Sequence, residues 1–102
     1  LPDFATTYGV KSFDRKLAKS ELIRALRFSV AAEYEAIQIY EQIIEAIDDP
    51  KAKMIISDII REEKLHAGQF LSLLFDVVPD ERESYVIGEA ENKALKQKIS
   101  KE

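Results

Sequence analysis

Apolar residues at Ile23, Leu26, Val30, Ile37, Tyr40, Ile44 and Ile47 advance in steps of three and four, with Glu33 filling the one gap in the series. That spacing places them along one face of a helix. Ser20 stands where an N-cap is expected, and the stretch Asp48-Asp49-Pro50 supplies a stop followed by a new start: Asp49 as cap, Pro50 at the first helical position. The second series repeats the first, with Ala52, Ile56, Ile59, Glu63, His66, Phe70, Leu73 and Val77 in alternating steps of four and three. Here two ionisable side chains in succession stand where leucines belong. Pro79 closes this helix, and the charged residues 79–102 predict a shorter third one that could break at Gly88. The chain therefore divides into an irregular N-terminal arm (1–19), a helical hairpin (20–78) that carries the interrupting ionisable residues, and a short C-terminal helix (79–102).

Length and composition narrow the classes. With 102 residues the chain is one domain, near the lower size at which a core sustains itself without help. There is no cysteine, so disulfides, thiolate metal sites and iron–sulfur clusters are excluded. A net charge of −4 with interspersed signs provides no basic patch, which argues against a nucleic-acid partner. No apolar run approaches the roughly 20 residues that span a bilayer. A soluble, cytoplasmic, all-α protein is the expectation.

The ionisable residues of the two seams fall at one height. Glu33 lies about 15 residues before the hairpin turn, and Glu63 and His66 lie about 14 and 17 after it, so at about 1.5 Å per residue the three meet across the seam. Glu62 is one step off the stripe, which leaves Glu63 as the inward carboxylate. One inward glutamate on one helix and Glu-x-x-His on the next make half of the set used by di-iron and di-manganese carboxylate bundles. A lone hairpin also leaves much of two apolar stripes in water. A two-fold dimer completes both, giving a four-helix bundle with Glu33, Glu63 and His66 beside their symmetry mates. Two divalent cations then cancel the charge of four glutamates, and oxygen and imidazole donors suit iron, manganese or, less specifically, zinc. Iron oxidation at a bridged pair is the favoured chemistry.

Plainer readings stand beside this one. A lone Glu-x-x-His occurs by chance in many helices, and Glu33 could be a register-fixing polar residue of a helical dimerisation or cargo module. Tyr40, two turns along the seam, reads either as a core aromatic or as a phenol near the redox centre. Glu35 points off the stripe, as a solvated residue or part of an ion-admitting site, and Phe28 and Tyr34 read as packing residues. A rubrerythrin-like peroxide reductase is the nearest enzymatic alternative.

The segments "SVAAEYEAIQIYEQI" and "IIREEKLHAGQFLSLL", at this separation and with the acidic-Pro turn between them, resemble the encapsulated ferritins packaged inside encapsulin nanocompartments. The likeness runs over roughly residues 20–78. It implies a two-helix hairpin with a short C-terminal helix and a di-iron ferroxidase centre formed only between subunits, with two irons per dimer. It further implies that Glu33, Glu63 and His66 are the iron ligands, that Tyr40 lies close to the centre, and that Glu35 belongs to an outer metal site. Dimers in that family assemble into an open ring, typically of ten chains, and storage of the mineral needs the encapsulin shell. The chain departs from the family's best-known members at Ile39, where they have tryptophan, and at Ala32, where they have an acidic residue.

Overall fold

A computed structural model describes residues 15–101. Three helices follow one another: α1 (Lys19–Glu45), α2 (Pro50–Val77) and α3 (Pro79–Ser100). The arm expected over 1–19 lies, up to residue 14, outside the described residues. No described helix is long and apolar enough to cross a membrane.

Each boundary has a local cause. The first helix starts at Lys19, with Ala18 in the cap position, two residues before the expected Ser20 cap. Glu21 decides this: its Oε1 accepts the Ala18 N–H at 2.9 Å, and its carboxylate receives both terminal nitrogens of Arg15 at 2.6 and 2.9 Å. The carboxylate thus satisfies one otherwise orphaned donor at the helix start. At the far end α1 stops at Glu45, which puts Ile47 in the connection rather than on the helix. Asp49 caps α2 as expected, its side chain accepting the Lys51 N–H at 3.0 Å, with Pro50 in the first turn. No break occurs at Gly88. Its φ is not positive, and the good helix formers around it offset the roughly 1 kcal/mol that a glycine costs in a helix.

The two long helices pack antiparallel. Leu26, Val30 and Ile37 of α1 meet Ile60, Ala67 and Leu74 of α2, and these apolar side chains are the buried core. On α1 the buried residues are those the periodicity picks. On α2 they are not: Ile59 and Leu73 are 37% and 47% exposed, and the His66 side chain is 48% exposed. The apolar arc of α2 is wider than one neighbour can cover. At 100° per residue, Ile60, Ala67, Leu74, Ile56 and Glu63 span its inner half, and Ile59, His66 and Leu73 lie about 100–140° round from Ile60. That outer half is left open. Phe28 and Tyr34, read as packing residues, are likewise exposed, at 42% and 53%.

The third helix leaves the end of α2 and splays away. Phe75 meets Tyr85 edge to face, with ring centroids 5.2 Å apart. Arg27 of α1 reaches Glu81 with its Nε 3.2 Å from both carboxylate oxygens and its Nη2 on Oε1. From Arg82 onward every described residue of α3 is exposed. The radius of gyration is 18.2 Å, against the roughly 13 Å of a compact domain of about 100 residues. By itself, then, the chain does not close around one core.

Candidate metal centre

Midway along the hairpin the apolar packing is interrupted by three polar side chains. Glu33 projects from α1 between Val30 and Ile37, and Glu63 and His66 occupy successive turns of α2. Spacing of three along a helix puts the last two on one face. Each of the three offers a ligand atom within 4.8 Å of the others. The His66 Nδ1 lies 3.8 Å from Glu33 Oε1 and 3.9 Å from Glu63 Oε2.

Those separations are too long for hydrogen bonds. They suit another occupant, because two donor atoms each roughly 2.1 Å from a shared cation stand up to about 4.2 Å apart. The carboxylates are mostly shielded, with Glu33 16% and Glu63 20% exposed. Glu33 Oε2 is buried and has no hydrogen-bond partner among the described residues. A buried carboxylate oxygen without a donor is costly unless a cation faces it. The donor set therefore fits a metal: two carboxylates and an imidazole, no thiolate, and a buried Glu33 oxygen with no hydrogen-bond partner among the described residues. Three protein donors leave coordination positions free, and the open outer half of α2 lies beside them.

Of the residues singled out from the sequence, Glu33, Glu63 and His66 come together. Glu62 stays outside, 52% exposed and 3.8 Å from Arg61 Nη2. Tyr40 is half-buried, seven residues and about 10 Å along α1 from Glu33, and within about 20° of it around the helix. Glu35 lies about 200° round α1 from Glu33 and is not part of the cluster. Sequence reasoning missed the ion pair that ties α1 to α3, Arg27–Glu81. The two are 54 positions apart, and nothing local in the chain couples them.

Comparison with known proteins places this geometry in context. The model of the Rubrerythrin family matches residues 24–100. A ferritin-like-encapsulin shell fusion protein of Pyrococcus furiosus is 38% identical over 68 residues, 67% of this chain and 20% of that protein. The encapsulin nanocompartment cargo protein EncC of Myxococcus xanthus is 36% identical over 67 residues, 66% of this chain and 52% of that protein. The chain thus spans about a fifth and about half of the length of these two relatives. The crystal structure of the encapsulated ferritin domain from Pyrococcus furiosus superposes with a TM-score of 0.83 at 32% identity, over 91% of this chain and 95% of that one.

Proposed function

This chain belongs to the rubrerythrin family and, within it, to the encapsulated ferritins, and we propose on that footing that two copies form a ferroxidase centre that oxidises Fe(II) to Fe(III). The observation that carries the reading is the Glu33–Glu63–His66 cluster, in which the buried Glu33 Oε2 has no hydrogen-bond partner among the described residues.

A single cluster is half of a two-metal site. The open half of α2, with Ile59 and Leu73 flanking His66, adjoins it, and covering that strip with the same strip of a second copy removes both from water. The two-fold axis then brings two sets of Glu33, Glu63 and His66 together. Four carboxylates confined there repel one another, and two divalent cations balance them.

Each bound Fe(II) gives up one electron, and two electrons with two protons convert O₂ to hydrogen peroxide. The residues do the rest. Glu33 and Glu63 hold hard cations and favour the higher charge of Fe(III), and His66 supplies a neutral donor on the solvent side. Tyr40 is assigned the vicinity of the centre and Glu35 an outer site that admits ions. Because the relatives are named as an encapsulin fusion and an encapsulin cargo, the product is assigned to an iron store inside an encapsulin shell, with dimers joined in a ring of about ten chains, as the family resemblance implies.

The test is iron stoichiometry against chain mass, with anaerobic loading followed by exposure to O₂, for the full chain and for Glu33→Ala. Two irons per two chains, oxidised faster than in buffer and lost in the variant, is the expected result. Iron bound without oxidation above the buffer rate would refute the activity. A metal-free dimer indifferent to iron would leave the carboxylates as register devices. The Rubrerythrin match favours one second reading, peroxide reduction at the same residues, and this predicts faster turnover with peroxide than with O₂.

A further inference from the structure

A single residue joins α2 to α3. Val78 stands outside both helices, at φ −131° and ψ 81°, yet its backbone belongs to each: its N–H donates to the Leu74 carbonyl at 2.8 Å, and its carbonyl accepts the Glu81 N–H at 3.1 Å. Pro79 has no N–H with which to continue α2, and its ring fixes φ. The angle between the two helices therefore rests on the two dihedrals of Val78.

Two contacts hold this joint, and both lie close to it. Arg27 of α1 binds the Glu81 carboxylate through Nε and Nη2, and Phe75 meets Tyr85 edge to face. Glu81 is the shielded member of the ion pair, 14% exposed against 51% for Arg27. It lies three residues from Val78, about 4.5 Å along the axis, whereas the whole of α3 runs about 33 Å, so a shift at Glu81 is multiplied about sevenfold at the tip.

Between α2 and α3 lies an open groove of about 900 Å³, with Gly68, Leu71 and Phe75 on one wall and Val86 and Ile87 on the other. Val86 and Ile87 are 56% and 58% exposed. A Cβ at Gly68 would meet no atom within 4 Å, so there is room for α3 to approach. Apolar walls that face each other across water gain free energy by meeting. Arg27 acts against this, because it draws the root of α3 toward α1 and away from the wall on α2. The groove and the metal cluster lie on different sides of α2: Gly68 and Phe75 are about 80° and 60° round from Ile60 in one direction, and His66 about 120° in the other.

We propose that α3 is a latched lid: the Arg27–Glu81 pair holds it splayed, and release of that pair lets it swing on Val78 and close Val86 and Ile87 onto Leu71 and Gly68. The splayed chain presents an apolar groove, and the closed chain hides it. Closure leaves the Glu33–Glu63–His66 cluster untouched, so this device goes beyond the oxidation proposed above and does not depend on it.

The chain has no cysteine, so Met54→Cys/Lys93→Cys places two spin labels at exposed positions on α2 and α3. Lys93 is about 22 Å from the hinge, and a swing of about 30° moves it about 11 Å. Double electron–electron resonance on the full chain, diluted into unlabelled protein, reads the distance within one chain. In Arg27→Met, which keeps the apolar stem and removes the charge, the distance is expected to shorten by about 10 Å. The exchanged pair Arg27→Glu/Glu81→Arg is expected to restore the original distance. Adding Val86→Asp/Ile87→Asp to Arg27→Met is expected to abolish the shortening, because one wall is then no longer apolar. An unchanged distance in Arg27→Met, or a distribution that only broadens, overturns the latch. Shortening that the exchanged pair does not reverse, or that survives Val86→Asp/Ile87→Asp, overturns it as well.

Discussion

Replacing Glu33 by leucine separates the cost of the cluster from its use. The Glu33 side chain is 16% exposed, and its Oε2 is buried without a hydrogen-bond partner among the described residues. A buried acceptor left unsatisfied costs about 1–3 kcal/mol, and more when charged. Leucine removes that atom and extends the packing of Val30 and Ile37, so Glu33→Leu is expected to stabilise the metal-free protein by about 1–3 kcal/mol. For a domain of this size each kcal/mol moves the midpoint by about 4–8 °C. Metal offsets this difference. Mn²⁺, which is not oxidised under the assay conditions, at about 100 times its dissociation constant stabilises the wild type by about 2.7 kcal/mol and the variant by none. The assay is thermal unfolding at one fixed protein concentration, with and without Mn²⁺. A variant less stable than wild type without metal, or two proteins that respond equally to Mn²⁺, would refute the reasoning.

Other expectations follow from single residues. Leu74 is 1% exposed in the last turn of α2, so Leu74→Ala should cost about 2–5 kcal/mol in urea unfolding, partly from the cavity it leaves. Asp49→Ala removes the acceptor of the Lys51 N–H and should cost about 1 kcal/mol by the same measurement, with iron stoichiometry intact. Glu21 is held at about 2 by its hydrogen bond from Arg15 and then by the one from Ala18. Its folded value lies below the unfolded one of about 4.3, so its stabilisation is complete above that value and is lost as the pH falls toward 2. Side-chain NMR titration should show this, and Arg15→Ala should return the carboxyl toward its ordinary range.

How much of this was legible along the chain depends on the range of the interaction. Asp49 and Pro50 announce the turn because a cap and a first-turn proline act on neighbouring backbone groups. Ser20 misled, because the start of α1 is set by Glu21 reaching back to Ala18 while Arg15 holds it, a side-chain arrangement that an N-cap rule does not include. Gly88 misled as well, since a glycine breaks a helix only where the backbone needs its freedom, and here the helix continues. The meeting of Glu33 with Glu63 and His66 was legible because equal arm lengths and a fixed rise convert sequence distance into height.

The sequence by itself determined three helices, a hairpin turn, and which polar residues interrupt the apolar stripes, because periodicity and caps are local properties. Only the tertiary structure decided which half of the α2 arc is buried, that His66 stays half open to solvent, that Glu33 Oε2 is buried without a partner among the described residues, and that Arg27 holds α3 to the hairpin through Glu81. Burial and pairing across distant elements depend on how two helices rotate against each other, and a wide apolar arc leaves that rotation free until they pack.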